Sequence, residues 1–325
     1  MNHNGDVGRA LGLVDAAVDA GADAVKFQTF KADRLAAHDA PKAAYQISST
    51  GAGESQYDML RRLELSAEAH HEIAGHCHRK GVVFMSTPFD EESVNFLLDV
   101  GMTVFKIPSG EITNLRFLAH VAQKGRPMIV STGMASLGEV EAAVGTIRHA
   151  GNRDLVLLHC VSAYPASPAD ANLRAMHTLA AAFDVPVGFS DHTSGIEVSL
   201  AAVALGACVI EKHLTLDRAL PGPDHSASLE PAELSALVQG IRTVEASLGD
   251  GCKAPTASES NTASTVRRSL VAACDISAGT LVTEEHVTAK RPGTGLPPAM
   301  RPCVVGRTAR GPIAAGTQFT LEMLV

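Results

Sequence analysis

The chain has 325 residues, more than one compact core usually organises, so a large domain joined to a smaller one is expected. Its formal net charge of −8 argues against a general nucleic-acid-binding protein, which needs a broad basic surface. No run approaches the ~20 apolar residues that span a bilayer, and the six cysteines are scattered without a CxxC pair, so we expect a cytoplasmic protein with reduced thiols.

Seven short apolar segments alternate with helical patterns over residues 1–249. The segments are nearly continuous in apolar residues, which is typical of parallel strands buried on both faces. Gly21, Gly81, Gly151 and Gly206 stand where four of the intervening helices are predicted to end. The predicted strands are 22–30, 82–89, 103–109, 127–133, 155–162, 185–192 and 208–215.

Seven strands paired with helices predict an α/β fold, a (β/α)8 barrel of the TIM type that lacks its first strand. No strand stands ahead of the first helical pattern at 7–21, where such a barrel requires one. Seven strands do not close this type of barrel without a change in tilt and shear. We therefore expect either an open barrel or a natural chain that begins before Met1, and we favour the second.

The C-terminal part of the chain has a different pattern. A polar segment at 250–266, rich in Ser, Thr and Ala, is predicted to be a linker. The pattern I-x-A-G-T-x-x-T then begins at Ile276 and again at Ile313, and this duplication predicts a small, turn-rich β domain over 267–325. The basic loop KRPGTG at 290–295 lies between the copies and, by itself, is more typical of a turn than of a binding site.

Polar side chains stand at the carboxyl ends of the predicted strands, where a parallel barrel collects its functional groups. Two are lysines and several carry hydroxyl groups, a combination that suits a phosphate or a carboxylate. Lys26 or Lys106 would instead form a Schiff base, as in an aldolase, if an apolar or cationic setting lowered its pKa. The strand-end residues are Lys26, Gln28, Thr87, Lys106, Ser109, Ser131, Tyr164, Ser190, His192, Glu211 and His213.

Two neighbouring strands each end on a histidine, His192 in GFSDHT and His213 in IEKHLT. Two inward-facing imidazoles could bind one divalent ion, with substrate and water completing the shell of an open catalytic site. The spacing fits a pair of core imidazoles with satisfied hydrogen bonds equally well. Asp224, in the loop PGPDH after the last strand, is a candidate general base.

Ten motifs occur in order along nearly the whole chain: NHNGD, AVKFQTFKAD, STPFDEESV, KIPSGEITN, STGMAS, LLHCVSAYP, GFSDHT, IEKHLTLDR, PGPDH and KRPGTG. Together they resemble the N-acetylneuraminate (sialic acid) synthase family. The resemblance implies a (β/α)8 barrel followed by an antifreeze-like (SAF) domain of the β-clip type. It also implies that the enol carbon of phosphoenolpyruvate attacks the aldehyde of open-chain N-acetylmannosamine. Water then adds at the adjacent carbon, and phosphate leaves with C–O cleavage to give a nine-carbon 2-keto acid.

The same resemblance implies roles for the site residues. His192 and His213 match histidines that bind Mn²⁺ or Mg²⁺. Arg291 matches an arginine that the SAF domain contributes to the sugar site of the partner barrel in a domain-swapped homodimer. We take Asp224, Glu211 and Glu111, which match acidic or sugar-contacting positions at the mouth, as candidate catalytic residues. The positions that hold phosphoenolpyruvate are matched by Lys26, Thr87, Lys106, Ser109, Ser131 and Ser190, and those that contact the sugar by Gln28, Tyr164 and Asp224.

The chain departs from the family pattern at two places. Family members carry a glutamate on a strand ahead of N-H-N-G, and the loop ISSTGAGE at 47–54 has no clear counterpart of an asparagine that contacts the sugar. Relatives with similar motifs make legionaminate or pseudaminate from other acylated amino sugars, so we expect substrate choice to differ at this loop. A non-catalytic barrel, whose C-terminal domain mediates dimerisation or carbohydrate binding, is the remaining alternative.

Overall fold

A computed structural model describes residues 1–325, which divide into two compact units, Met1–Gly249 and Asp250–Val325. The first unit contains seven strands, all within segments predicted from the sequence. They are β1 (Ala24–Thr29), β2 (Val83–Pro88), β3 (Phe105–Ile107), β4 (Met128–Ser131), β5 (Leu155–Cys160), β6 (Val187–Asp191) and β7 (Ile210–Lys212). No helix of the chain combines the length and apolar character needed to cross a membrane.

Eleven helices accompany the strands of the first unit, and the four predicted terminal glycines all have positive φ, between 75° and 95°. Polar side chains begin several of these helices. Ser136, for example, accepts a hydrogen bond from the backbone of Glu139 in a capping box. The helices are α1 (Val7–Asp19), α2 (Ala32–Leu35), α3 (Ala44–Thr50), α4 (Gln56–Arg62), α5 (Ala67–Lys80), α6 (Glu91–Asp99), α7 (Leu115–Ala122), α8 (Leu137–His149), α9 (Ala175–Phe183), α10 (Glu197–Ala204) and α11 (Pro231–Leu248).

All pairings between these strands are parallel, with β1 beside β2 and β3 to β7 in sequential order. Side chains alternate across each strand, so one set packs under the helices and the other faces the interior. On β3, Phe105 and Ile107 belong to the apolar core beneath the helices, whereas Lys106 between them faces the other way. Strands that are nearly continuous in apolar residues therefore bring a few polar side chains into the interior of the barrel.

The sheet does not close between β7 and β1. A cavity of about 430 Å³ separates the two strands and is lined by α1, β1, β7 and α11. Its wall carries Lys26, Gln28, Glu211 and His213 as well as apolar side chains of the flanking helices. The predicted barrel that lacks one strand is thus confirmed, and its open edge reaches the predicted site.

The second unit shows the predicted duplication. Ile276 and Ile313 pair in an antiparallel bridge, and Gly279 and Gly316, at the same position in each copy, have φ of 75° and 83°. These left-handed conformations explain why both copies keep glycine there. Strands β8 (Ser269–Ala272) and β9 (Val287–Lys290) pair antiparallel, and a short helix, α12 (Ser260–Val266), lies within the segment expected to be a linker.

Candidate active site

Lys26, Lys106 and Glu211 form a charged cluster at the carboxyl ends of β1, β3 and β7. Lys26 Nζ lies 2.9 Å from Glu211 Oε1, and Lys106 Nζ lies 3.6 Å from the same oxygen. Ser190, on β6, donates a hydrogen bond from Oγ to that oxygen at 3.1 Å. The strand-end residues of this cluster thus come from four strands, β1, β3, β6 and β7, and contact one another in the fold.

Burial and the neighbouring charges shift the pKa values of both Lys106 and Glu211 in this cluster. Burial lowers the pKa of Lys106 to about 8, and the carboxylate of Glu211 acts in the opposite direction. Burial alone would raise the pKa of Glu211, but the ammonium groups of Lys106 and Lys26 hold it well below its usual range. Glu211 therefore carries a charge at neutral pH and is suited to retain the two lysines rather than to transfer a proton.

Thr87 and Ser131 bring two hydroxyl groups to the interior without a partner. Both side chains are buried, and neither Thr87 Oγ1 nor Ser131 Oγ makes a hydrogen bond. Leaving a buried hydroxyl unsatisfied costs about 1–3 kcal/mol. Since these two groups lie on β2 and β4, which pair with the strands that carry Lys26 and Lys106, a ligand with several acceptor oxygens would satisfy them.

The turn after β4 packs closely against Ser109, which begins a one-turn helix at 109–111. The backbone N–H of Gly133 donates to Ser109 Oγ at 3.0 Å. A Cβ at Gly133 would lie 2.7 Å from Ser109 Oγ and 2.3 Å from Ser162 Oγ. Only glycine therefore allows the backbone of STGMAS to come this close to the hydroxyl groups of Ser109 and Ser162.

His192 and His213 face each other with ring centroids 5.2 Å apart. His192 Nδ1 lies 2.8 Å from the carbonyl oxygen of Val161, and because a carbonyl only accepts, Nδ1 donates and Nε2 keeps its lone pair. Burial lowers the pKa of His192 and, with the neighbouring charges of His192 and Lys26, holds the pKa of His213 well below its usual value. Both imidazoles are therefore neutral and able to bind a cation.

The donor set around the two histidines fits an open metal site. No group of three His, Cys, Asp or Glu side chains is arranged to hold a metal ion on its own. His213 Nδ1 lies 3.7 Å from Asp224 Oδ2, which is longer than a hydrogen bond, so Asp224 does not occupy this ring nitrogen. Two neutral imidazoles leave the remaining coordination positions for substrate and water.

Aromatic rings form one wall of the mouth. The Tyr164 ring centroid lies 4.2 Å from that of His192 and 5.7 Å from that of His213. Tyr45, on α3, packs against Tyr164 with centroids 4.9 Å apart and the rings tilted by 31°. Sequence reasoning did not single out Tyr45, although it lies directly before the loop where substrate choice was expected to differ. Burial, aided by the charge of Asp224, raises the pKa of Tyr45 to about 12, so its phenol is neutral.

The remaining predicted residues differ in how the structure places them. Asp224 is buried beside His213, and burial raises the pKa of its carboxyl. Glu111 is half-buried and accepts a hydrogen bond from Asn114 at 2.8 Å. Arg291 follows β9 in the second unit, so its role at the sugar site stays a prediction. Gln28 lines the cavity beside β7.

A buried ion pair next to the histidines was not predicted. Asp191 and Lys212, each directly before a site histidine in the sequence, lie 2.9 Å apart with 0% and 2% of their side chains exposed. Only the dipeptides Asp-His and Lys-His at the ends of adjacent strands signalled this pair. The two charges face away from the barrel interior, whereas the prediction from strand ends considered only residues that face inward.

Comparisons with known proteins show the family to which this chain is similar. The model of the NeuB family matches residues 13–253, and that of the SAF domain matches 267–325. N,N'-diacetyllegionaminic acid synthase of Legionella pneumophila is 49% identical, over 99% of this chain and 92% of that protein. The enzyme of that name from Campylobacter jejuni is 50% identical, over 91% and 89%. A crystal structure of N-acetylneuraminic acid (sialic acid) synthetase from Leptospira borgpetersenii, in complex with citrate, is 37% identical and covers 80% of this chain and 86% of its own, with a TM-score of 0.70.

These matches extend over both units and include the segments that carry every predicted site residue. The predicted resemblance to sialic acid synthases is therefore confirmed at the level of the family. The chain belongs to the NeuB family of phosphoenolpyruvate-dependent sugar acid synthases, and its C-terminal part is a SAF domain.

Proposed function

We propose that the chain condenses phosphoenolpyruvate with an open-chain hexose that carries two N-acetyl groups, and releases phosphate and a nine-carbon 2-keto acid of the N,N'-diacetyllegionaminic acid type. Both relatives described above bear the name of this activity, and each is identical to this chain at about half of the aligned positions. The name specifies two acetylated amines in the product. Because phosphoenolpyruvate brings none, the sugar has to carry both.

The observation that carries the proposal is the pair of unpartnered hydroxyl groups of Thr87 and Ser131, on the strands that pair with those of Lys26 and Lys106. At neutral pH the phosphate ester of phosphoenolpyruvate carries about −1.5 to −2 charges, and its carboxylate adds another. Its oxygens accept hydrogen bonds and donate none. A buried site with Lys26, Lys106 and free hydroxyl donors is suited to such a trianion.

The chain's own residues supply the proton steps. Attack by the enol carbon forms the new C–C bond and leaves the former aldehyde oxygen as an alkoxide, which needs a proton. Asp224 is suited to give it, because burial raises the pKa of its carboxyl, and it lies at the histidine end of the site. The resulting carboxylate then takes a proton from the water that adds to the adjacent carbon. The tetrahedral intermediate breaks its C–O bond, and phosphate leaves with the bridging oxygen and the hydroxyl proton.

A bound Mn²⁺ or Mg²⁺ would polarise the aldehyde carbonyl. His192 and His213 are the residues that would hold such an ion, through imidazole nitrogens that burial keeps neutral. Glu211 supports the anion site as a counter-ion to the two lysines, and its predicted catalytic role remains a prediction, as does that of Glu111.

The aromatic wall supports a sugar with an additional acyl group. The ring of Tyr164 lies next to both histidines and packs against Tyr45, and this aromatic surface suits the methyl of an acetamido group. N-acetylmannosamine, the first expectation from the sequence, is the second candidate, and the similarity to the sialic acid synthetase of Leptospira supports it. We further propose that the working unit is a homodimer in which Arg291 of one chain completes the sugar site of the other.

A product assay tests the proposal. The protein is incubated with Mn²⁺, phosphoenolpyruvate labelled with ¹⁸O in its bridging oxygen, and a panel of mono- and bis-N-acetylated hexoses. We expect a nine-carbon keto acid from the bis-acetylated sugar, with the label in the released phosphate and no product from a Lys106→Met control. A keto acid from N-acetylmannosamine alone would select the second candidate. A covalent adduct trapped by borohydride with pyruvate would replace both with the Schiff-base alternative.

A further inference from the structure

The segments 190–192 and 211–213 lie side by side and form three side-chain pairs, of which the first two belong to the β6–β7 register and the third lies one residue beyond it. Asp191 and Lys212 form the middle pair and are partners in the β6–β7 register. Because side chains alternate, the first and third pairs face the interior. The first is the serine–glutamate hydrogen bond of the anion cluster, and the third is the pair of imidazoles. The middle pair faces the helical layer.

The hydrogen bonds of the middle pair leave no oxygen of Asp191 unused. Lys212 Nζ lies 2.9 Å from Oδ2, to which Ser199 of α10 donates at 2.5 Å. The backbone N–H and the hydroxyl of Thr193 donate to Oδ1, each at 2.8 Å. Lys212 also donates to the carbonyl oxygen of Thr193 at 2.6 Å. The pair therefore fixes the backbone on both sides of His192.

Stability alone is a poor explanation for this ion pair. Removing two charges from water costs several kcal/mol per ion, and the attraction between them roughly offsets that penalty, so an apolar pair is often as stable. Position is a better explanation, because the register of β6 and β7 ends at Asp191 and Lys212. The two histidines lie one residue beyond it, and a slip of one residue would turn each side chain to the opposite face.

We infer that the Asp191–Lys212 ion pair is a positioning element that locks the ends of β6 and β7 in register and so places His192 and His213 side by side. Asp191 and Lys212 touch no substrate; they act through the two imidazoles. The inference rests on the proposed function only where it assigns a metal ion to those imidazoles. Its structural part concerns the rings themselves, which can be observed without metal.

The test compares three full-length proteins, namely the unaltered chain, one variant of the ion pair and one control variant. Lys212→Met leaves Asp191 buried without its partner and risks misfolding, so the principal variant is the double substitution Asp191→Asn with Lys212→Met, which removes both charges. Ile147→Val is the control, because it alters a fully buried residue of α8 elsewhere in the same unit, at a cost of about 0.5–1.5 kcal/mol. Each protein is examined for its melting temperature and for its imidazole ¹⁵N resonances without metal. Mn²⁺ affinity is followed by electron paramagnetic resonance, and affinity for phosphoenolpyruvate by calorimetry without metal.

In the double variant we expect shifted resonances of the two site imidazoles, assigned from His192→Gln and His213→Gln, and a Mn²⁺ Kd at least about tenfold higher. The Kd for phosphoenolpyruvate should rise by a smaller factor, because Lys26 and Lys106 lie on β1 and β3 rather than on the two strands that the ion pair joins, and Ile147→Val should alter neither affinity. Unchanged resonances with an unchanged Mn²⁺ Kd would overturn the inference, as would parallel losses of both affinities that follow the unfolded fraction. If the unaltered protein binds no Mn²⁺, the metal assignment in the proposed function is wrong. The resonances then decide the positioning role by themselves.

Discussion

Affinity for phosphoenolpyruvate should fall as pH rises through about 8, because Lys106 binds an anion only while it is protonated. Burial lowers the pKa of this lysine from 10.5 to about 8 in the free protein. The charges that act on it are chiefly Glu211, which favours the ammonium form, and Lys26, which disfavours it. A bound trianion adds negative charge beside Lys106 and raises its pKa again, so binding above pH 8 takes up a proton.

The size of the change in Kd follows from the shift in the pKa of Lys106. If only the protonated form binds, the Kd rises about twofold at pH 8 and about tenfold at pH 9, whereas an ordinary lysine would change it by only a few per cent. The full difference between pKa values of 10.5 and about 8 corresponds to about 3 kcal/mol, which limits the total change in the free energy of binding. Phosphoenolpyruvate does not contribute, because its phosphate loses its second proton near pH 6.

Calorimetry without metal measures this effect directly. Titrations from pH 7 to 9.5 in buffers with different ionisation enthalpies give both the Kd and the number of protons taken up. We expect uptake of nearly one proton at pH 9, and a flat profile in Lys106→Arg, whose guanidinium stays charged. A Kd that is constant across this range in the unaltered protein, with no proton uptake, would refute the assignment of Lys106 as a buried anion-binding lysine.

Four further substitutions test other parts of the site. Ser131→Ala should leave the melting temperature unchanged or higher, because it removes an unsatisfied hydroxyl, yet weaken phosphoenolpyruvate binding by about tenfold; equal binding would place the phosphate elsewhere. His213→Gln should raise the Mn²⁺ Kd by at least about tenfold while metal-free binding of phosphoenolpyruvate persists. Tyr45→Ala should lower kcat/KM for the bis-acetylated sugar more than for N-acetylmannosamine, and an equal loss for both would remove it from substrate choice. Mixing inactive Arg291→Ala with inactive Lys106→Met should restore about a quarter of the activity after subunit exchange if the arginine acts across a dimer, and none if it acts within its own chain.

Strand-end reasoning predicted which charged side chains would meet inside the barrel. Parallel strands bring their carboxyl ends to one edge, and a period of two fixes which residues face inward, so Lys26, Lys106 and Glu211 could be expected to meet. The glycine ends of helices and the duplicated C-terminal pattern are likewise local signals, since each depends on backbone conformations that glycine adopts readily.

Contacts made between the predicted elements could not be foreseen from such signals. Tyr45 stands on a short helix with no strong periodic pattern, and only the packing of that helix brings its ring to Tyr164. The lack of a hydrogen-bond partner at Ser131 is a property of all its neighbours together rather than of its own position. Asp191 and Lys212 face outward at strand ends, where charged residues are normally solvated, and their burial depends on the helical layer above them.

Two tripeptides at the ends of β6 and β7 illustrate how one short stretch of sheet combines several tasks. In SDH and EKH, the first residues join the anion cluster, the second residues form the buried ion pair, and the third residues face each other as imidazoles. The alternation of side chains separates these tasks by face, so the charges that hold the register are kept away from the charges that bind ligand. Changing either inward pair therefore should alter ligand binding directly, whereas changing the outward pair should alter it only through the position of the rings. Because both act on one pair of strands, kinetic loss alone would not distinguish them, and measurements on the imidazoles themselves are required.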